Sequence, residues 1–257
     1  GLGAVVGGVV VANPIPWLQL GFAFLATAFV AAYGNILNDL ADRELDRKAH
    51  PTRPLPSGRV QAKEAESLLV GMASAGLVFA VLAGGYALAA FAALNIGLLF
   101  VYERWLKARG LAGNALIAWL VASTFLFGAA AANAPYWQWI PAAALALLAF
   151  LANLSREVLK DAEDLDADRG HRRTLALAVG PRSAGFYALF IVGIACALAA
   201  GFSLHPPPTW WRGFPFVLAL ALLTLVAGAV AGIRRPGRGQ RMLKIGMAMA
   251  LLAFLSG

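Results

Sequence analysis

The sequence predicts an all-α membrane protein whose chain crosses the bilayer nine times. Of its 257 residues, 60% are hydrophobic and only 13% are charged, and the mean hydropathy is +0.72. Soluble domains carry about 25% charged residues. Apolar runs follow one another along the chain, most of them close to the ~20 residues that cross ~30 Å of hydrocarbon. Lys and Arg lie between these runs or at their ends, as in the connections of a multi-pass protein.

The apolar runs define the predicted spans in chain order. They cover residues 1–12, 17–38, 64–83, 86–104, 112–132, 137–157, 175–203, 213–232 and 241–257. The first run is shorter than a full crossing. Small residues such as the Gly84-Gly85 pair recur among the spans, and small residues allow close helix packing in lipid. We expect a single transmembrane domain over residues 1–257.

The basic residues predict the orientation of the chain. Of the 21 Lys and Arg residues, 20 lie in the connections after the second, fourth, sixth and eighth spans, and only Arg212 lies elsewhere. The positive-inside rule places those four connections in the cytoplasm of a cell-membrane protein. The net charge of +8 is spread over four clusters, which is typical of membrane loops and predicts no nucleic-acid partner. We expect no removable signal peptide, because the first run lacks a basic leader.

All 13 acidic residues lie on the same predicted side, and two clusters of them need a further explanation. The first cluster follows the second span, in NDLADRELD. On a helix, residues at i and i+4 share a face, so Asn38, Asp42 and Asp46 form one column and Asn35 and Asp39 form a second. Stacked aspartates repel each other. The arrangement is favourable if a cation lies between them.

The second cluster follows the sixth span, in REVLKDAEDLDADRGHRRT. Asp164 and Asp168 repeat the i, i+4 pair, and Asp161 lies about one turn earlier. The chain therefore contains two copies of a span followed by an aspartate column and a basic loop. This duplication predicts two pseudo-repeats, at about 1–111 and 112–257, with a site between them.

Carboxylates at this spacing favour a hard cation. Oxygen ligands prefer Mg²⁺ to Zn²⁺, and Mg²⁺ usually takes one or two carboxylates together with substrate phosphates. Two facing columns would hold a diphosphate through Mg²⁺, while an apolar bundle would accept a lipid tail, as a prenyl diphosphate requires. A solvated acidic helix end is the alternative for either cluster alone. An EF-hand beginning at Asp164 is excluded, because Arg169 and Leu175 stand where that loop requires Gly and Glu.

Three segments resemble the UbiA superfamily of intramembrane prenyltransferases over nearly the whole chain: GNILNDLADRELDRKAHPTRPLPSG (Gly34–Gly58), YERWLKARGLAGNALIA (Tyr102–Ala118) and REVLKDAEDLDADRGHRRTLALAVG (Arg156–Gly180). The first matches the family's N-D-x-x-D-x-x-x-D motif and the third its second aspartate motif. The resemblance implies a bundle of nine transmembrane helices around a central cavity. It also implies Mg²⁺-dependent transfer of a prenyl group from its diphosphate.

Finer details resemble the branch of this family that makes archaeal ether lipids. Arg53 follows Asp46 by seven residues, and both REVLKDAED and the loop Leu106–Asn114 are similar to that branch. The resemblance implies transfer of a geranylgeranyl group to geranylgeranylglyceryl phosphate in phospholipid biosynthesis. The alternatives are an aromatic prenyltransferase of the 4-hydroxybenzoate type, in quinone biosynthesis, and a transporter. Ion-coupled transport is disfavoured, because the acidic residues lie at span ends. No protein partner is inferred.

The resemblance also suggests roles for individual residues. The expected metal-binding and catalytic residues, acting on Mg²⁺ through the diphosphate, are Asp42, Asp46, Asp164 and Asp168; Asn38, Asp39 and Asp161 support them, and Asn38 and Asp161 are further possible metal ligands. The expected phosphate contacts are Lys48, Arg53, Lys160 and Arg172, and Tyr102 and Lys107 are expected to cap the site. Trp119, Phe125 and Phe127 are candidates for lining the cavity, although packing is the preferred interpretation for each.

Overall fold

The protein is all-helical in its described residues, 1–170, 172–204 and 214–255 of a computed structural model. The helices are α1 (Leu2–Val9), α2 (Trp17–Ala41), α3 (Arg43–Ala49), α4 (Ala62–Val101), α5 (Leu111–Ala131), α6 (Ile140–Glu163), α7 (Leu165–Asp168), α8 (Leu175–Val179), α9 (Pro181–Leu204), α10 (Phe214–Gly232) and α11 (Pro236–Leu255). A π-helical turn, Tyr102–Leu106, follows α4 directly, and a 3-10 turn covers Tyr136–Gln138. Within the described ranges there is no β-strand. Arg212 and the ends of the predicted spans at 213 and 256–257 lie outside them.

Six helices of the described chain are long and apolar enough to cross a membrane, so the predicted membrane class is confirmed but the number nine is not. They are Trp17–Ala41, Ala62–Leu106, Leu111–Ala131, Ile140–Glu163, Pro181–Gly201 and Phe214–Gly232. Helix α1 has 8 residues and is about 12 Å long, which is too short for a crossing. The predicted spans 64–83 and 86–104 fall within one candidate helix.

Helix α4 reverses direction at a glycine pair. Gly84 (φ −176°, ψ 31°) and Gly85 (φ 77°, ψ −162°) leave the helical region, and the positive φ of Gly85 is one that favours glycine. Gly76 lies against Val30 of α2, whereas Leu99 lies against Gly34, one turn further along α2. A straight helix would separate Gly76 from Leu99 by about 35 Å. The two halves of α4 therefore both run beside α2, as a hairpin.

Several predicted span limits differ from the observed helices by a few residues, as at the start of α11, which lies at Pro236 and not at 241. Helix α6 continues six residues beyond the predicted end, to Glu163, because Val158, Leu159 and Ala162 are buried there against α9 and its neighbours. Asp161 consequently lies within the helix. The predicted span 175–203 is two helices, α8 and α9, because Gly180 has φ 85°.

A central cavity of about 1040 Å³ lies between the helices. It is lined by residues of α1, α2, the second half of α4, α5, α6, α9, α10 and α11. Helix α6 packs between α5 and α9 and is fixed to α9 by the Ser155 hydroxyl, which donates to the Ala188 carbonyl oxygen at 3.0 Å. The two aspartate segments follow α2 and α6, and residues of both helices line this cavity.

Candidate active site

The first aspartate segment continues from α2 through a bend at Asp42. Asp42 (φ −87°, ψ 2°) separates α2 from α3. The helical hydrogen bonds nevertheless continue across the bend, since the Asp42 N–H donates to the Asn38 carbonyl at 2.9 Å and the Asp46 N–H to the Asp42 carbonyl at 2.8 Å. This pattern keeps Asn38, Asp42 and Asp46 one turn apart, as their spacing predicts.

A lysine ammonium lies at the centre of this segment. Lys107 Nζ donates to Asp42 Oδ1 and Oδ2, both at 2.8 Å, and to Asn38 Oδ1 at 2.9 Å. It also bonds the Glu103 carboxylate. Asn38 Nδ2 donates in turn to Asp42 Oδ2 at 3.2 Å. The cation that the stacked carboxylates require is thus supplied here by the chain itself, and Lys107 lies at the site that it was expected to cap.

Arg53 neutralises the last aspartate of the first segment. Its Nη1 lies 2.6 Å from Asp46 Oδ2, and the Asp46 side chain is buried. Arg53 follows Asp46 by seven residues in the sequence, and this length of chain lets the loop after α3 bring the Arg53 side chain back to Asp46. Lys48 is exposed and forms no ion pair with any described residue.

The second segment has the same local structure as the first. Asp164 (φ −85°, ψ 10°) separates α6 from α7. The Asp164 N–H donates to the Lys160 carbonyl at 2.9 Å and the Asp168 N–H to the Asp164 carbonyl at 2.9 Å. Asp42 and Asp164 therefore occupy equivalent positions, each at a bend that ends a long helix and one turn before a buried aspartate.

Two contacts hold the second segment. Buried Asn114 of α5 donates through Nδ2 to Asp161 Oδ2 at 2.7 Å. Arg172 Nε lies 3.5 Å from Asp168 Oδ1. The other oxygen, Asp168 Oδ2, is buried without a hydrogen-bond partner. Burial raises the pKa of Asp168 above its ordinary value, and the charge of Arg172 partly opposes that shift.

The segment after α4 connects the two acidic segments. Its π-helical turn carries Glu103 and is followed by Lys107, which contacts the first segment. Its end contacts the second, since the Arg173 N–H donates to the Ala108 carbonyl at 3.0 Å. Gly110 (φ 55°) packs so closely that a Cβ there would lie 2.1 Å from the Arg173 carbonyl oxygen. Tyr102 and Glu103 of this turn line the cavity together with Glu157 of α6.

Both acidic segments contribute to one end of the cavity, which we call the polar rim. The rim consists of Asn38, Asp39, Tyr102, Glu103, Glu157 and Lys160, all of which line the cavity. Five acidic residues of the two segments do not line it themselves: Asp42, Asp46, Asp161, Asp164 and Asp168. Phe125 and Phe127 line the apolar part, whereas Trp119 does not and is partly exposed.

No preformed metal cage is present in the described residues, because no three His, Cys, Asp or Glu side chains lie close enough together to hold an ion. Mg²⁺ does not require such a cage, since it usually binds one or two carboxylates and completes its shell with phosphate oxygens and water. The partnerless Asp168 Oδ2 is a buried carboxylate oxygen with free ligand capacity. The side chains present therefore fit a metal that arrives with a diphosphate.

Sequence reasoning missed Glu103, Glu157 and Asn114 as site residues. Glu103 and Glu157 line the cavity, and Glu157 pairs with Arg156. Each could have been found in the sequence as a carboxylate at the end of an apolar run. Glu103 also precedes Lys107 by four residues, the spacing of a helical ion pair. Asn114 was harder to find in the sequence, where it is a lone amide in a loop motif. Its partner Asp161 is 47 residues away, so no local spacing links the two.

A comparison with models of known protein families identifies the family of this chain. Residues 2–252 match the model of the UbiA prenyltransferase family. The chain belongs to the UbiA prenyltransferase family. The predicted family and the predicted enzyme class, a prenyltransferase, are confirmed.

Relatives of this UbiA prenyltransferase match it over its full length. A digeranylgeranylglyceryl phosphate synthase of Methanopyrus kandleri is 39% identical over 256 residues, which cover 97% of this chain and 92% of the relative. A solved structure of a digeranylgeranylglyceryl phosphate synthase superposes with a TM-score of 0.78 at 29% identity, covering 100% of this chain and 91% of the other. A UbiA homologue of Archaeoglobus fulgidus, solved with DMAPP and Mg²⁺, has the same fold (TM-score 0.66, 17% identity, covering 99% and 93%).

Proposed function

We propose that this UbiA prenyltransferase transfers a geranylgeranyl group from geranylgeranyl diphosphate to geranylgeranylglyceryl phosphate, forming the second ether bond of an archaeal lipid. The observation that carries this proposal is a large cavity whose polar rim is built from both acidic segments. Full-length similarity to enzymes named digeranylgeranylglyceryl phosphate synthase, at 33–39% identity among the curated relatives, supports this acceptor.

The size and lining of the cavity suit two lipid substrates. Its volume of about 1040 Å³ lies at the upper end of the ~300–1,000 Å³ typical of small-molecule pockets. Below the polar rim the walls are mostly apolar residues of eight helices. An apolar chamber with a charged end accommodates isoprenoid chains and keeps both phosphate groups at the rim. The chamber also limits water, which would convert an allylic cation to an alcohol.

The two acidic segments would hold the diphosphate. Asp42, Asp46, Asp164 and Asp168 are the proposed ligands of Mg²⁺, whose charge would stabilise the departing diphosphate. The fold neighbour solved with DMAPP and Mg²⁺ supports this metal for the family. Asn38 and Asn114 orient Asp42 and Asp161 through direct hydrogen bonds, in the way that outer contacts fix metal ligands.

The basic residues around the rim would bind phosphate oxygens. Lys107 and Lys160 lie at or beside the rim, and Arg53 and Arg172 each pair with a buried aspartate. Lys48, Asp39, Tyr102 and Asp161 complete the proposed substrate-binding set. As the C–O bond of the diphosphate breaks, these cations would stabilise the leaving group. The acceptor hydroxyl would attack the allylic carbon and pass its proton to the released diphosphate.

The predicted topology forms part of the proposal. The hairpin of α4 gives two crossings where one continuous helix would give one. With α11 this brings the proposed crossings to eight, and α1, which is too short for a crossing of its own, completes the nine helices of the two proposed pseudo-repeats. The equivalent bends at Asp42 and Asp164 support the repeats. The concentration of basic residues near both acidic segments supports a cytoplasmic polar rim.

The acceptor is tested directly with purified protein, labelled geranylgeranyl diphosphate and Mg²⁺. The acceptor panel contains geranylgeranylglyceryl phosphate, geranylgeranylglycerol without the phosphate, and 4-hydroxybenzoate. We expect a single labelled product with geranylgeranylglyceryl phosphate, identified by mass spectrometry as carrying two ether-linked chains. Transfer to 4-hydroxybenzoate alone would contradict the proposed acceptor while leaving the prenyltransferase class intact.

A further inference from the structure

A second concave site lies where the start of α9 meets the turn between α10 and α11. It has a volume of about 550 Å³ and shares no lining residue with the central cavity. Four arginines from two separate parts of the chain line it, next to exposed apolar side chains: Arg182, Arg234, Arg235 and Arg238, with Phe186 and Val230 among the apolar ones.

Backbone packing holds the arginines in this arrangement. Gly185 of α9 approaches the turn so closely that a Cβ there would lie 2.6 Å from the Ile233 Cα. The turn is closed by the Arg235 N–H, which donates to the Ala231 carbonyl at 2.9 Å. The close contact of α9 with the turn therefore places Arg182 near Arg234 and Arg235 of the turn and Arg238 of α11.

The site concentrates positive charge without an acidic partner. None of its four arginines forms an ion pair with an acidic residue of the described chain. Glu163, the acid that reaches α11, accepts a hydrogen bond from Gln240 at 2.8 Å instead. Helices α9 and α11 also begin here, and a helix start carries partial positive charge, so cations are unfavourable next to it. A bound anion would therefore reduce the repulsion among these four exposed arginines.

The apolar side of the site indicates what kind of anion fits. Phe186 and Val230 are 53% and 51% exposed, and both belong to helices that are long and apolar enough to cross the membrane. Arg guanidinium groups match phosphate geometry through paired N–H donors. Basic pockets between transmembrane helices bind the headgroups of anionic lipids. We propose that this pocket binds the phosphate headgroup of an anionic membrane lipid, whose chain lies along Phe186 and Val230.

Orientation of the chain does not by itself explain this convergence. The positive-inside rule requires only that basic residues lie near the cytoplasmic side of the membrane. It does not require that they meet in one pocket. Helix α11 supplies a matched comparison, because Arg241 and Lys244 are exposed within two turns of Arg238 but do not line the pocket. Removing either pair of charges changes the net charge equally.

The test compares Arg234→Gln/Arg238→Gln with Arg241→Gln/Lys244→Gln in the full chain, purified in a neutral detergent. Native mass spectrometry counts lipid retained during titration with phosphatidylglycerol, with phosphatidylcholine of the same chains, and with phosphatidylglycerol in the presence of excess inorganic phosphate. We expect wild type and the Arg241/Lys244 variant to retain phosphatidylglycerol in preference to phosphatidylcholine. The Arg234/Arg238 variant should bind it about 25-fold more weakly, at roughly fivefold per lost charge.

Three results would overturn the proposal. Equal losses in both double variants would show that affinity depends on bulk charge and not on this pocket. Equal retention of phosphatidylcholine and phosphatidylglycerol would remove the role of the anionic headgroup. Displacement of the lipid by inorganic phosphate alone would identify a site for free phosphate. Transfer activity in detergent serves as the folding control, because neither pair belongs to the proposed active site.

Discussion

At the scale of single residues, Lys107 determines the charge balance of the first acidic segment. Its ammonium contacts Asp42 and Glu103, and the three side chains are only 13%, 23% and 7% exposed. Partly buried carboxylates without a counter-ion are costly. This cost explains why a lysine from the segment after α4 lies between two acidic residues.

Replacing Lys107 tests that role. We expect Lys107→Met to lower the stability of the metal-free protein by about 1–3 kcal/mol, because it leaves two carboxylates unpaired. Added Mg²⁺ should stabilise the variant more than it stabilises wild type. Thermal unfolding in detergent measures both effects, with Lys63→Met, at an exposed position of α4, as control. Equal behaviour of the two variants would show that Lys107 does not balance this charge.

The bond between Asn114 and Asp161 makes a second prediction at this scale. Both side chains are buried, and their 2.7 Å hydrogen bond joins α5 to α6. We expect Asn114→Ala to cost about 1.5–3 kcal/mol, because it leaves a buried carboxylate without its donor. Combining it with Asp161→Asn should reveal a coupling of about 1 kcal/mol or more in a double-mutant cycle. Strictly additive unfolding energies would mean that the bond contributes nothing.

At the scale of elements, the segment after α4 connects the two halves of the site. Gly110 has φ 55°, and its Cα lies against the Arg173 carbonyl. We expect Gly110→Ala to displace this segment and lower kcat/KM at least tenfold, mainly through the KM for the prenyl diphosphate. Steady-state kinetics measure the change.

Gly180→Ala is the matched control for that prediction. Gly180 also has a positive φ, 85°, but nothing lies within 4 Å of a Cβ built there. Both variants carry the backbone strain of a side chain at positive φ, and only Gly110→Ala adds the clash. If Gly180→Ala reduced activity as much, backbone strain alone would account for the loss.

Sequence reasoning succeeded for these elements where the signal is local. Apolar length predicted the all-helical membrane class, though not a confirmed number of crossings, and the i, i+4 spacing predicted the aspartate columns, because both follow from the geometry of one helix. The contact of Lys107 with Asp42 spans 65 residues, and that of Asn114 with Asp161 spans 47. No local pattern encodes such pairs. Helix α6 extends beyond its predicted end because Val158 and Leu159 are buried by packing against other helices.

At the scale of the whole molecule, one cavity connects the two distant acidic segments. Asn38 and Asp39 come from one segment, Glu157 and Lys160 from the other, and all four line it. Since the described residues hold no complete metal cage, metal and diphosphate should bind together. We expect EDTA to stop prenyl transfer and Mg²⁺ to restore it. Calorimetry should show weak Mg²⁺ binding alone and tight binding with diphosphate. Tight binding of Mg²⁺ without diphosphate would contradict this account.

The most direct measurement is binding of a non-reacting geranylgeranyl thiodiphosphate in the presence of Mg²⁺, by isothermal titration calorimetry. Wild type is compared with Asp42→Asn, Asp164→Asn and the double variant. If both segments bind the same diphosphate, each single substitution should weaken binding of the analogue at least tenfold. The double substitution should weaken binding little further. A single variant that binds like wild type, or losses that simply add in the double variant, would contradict a shared site.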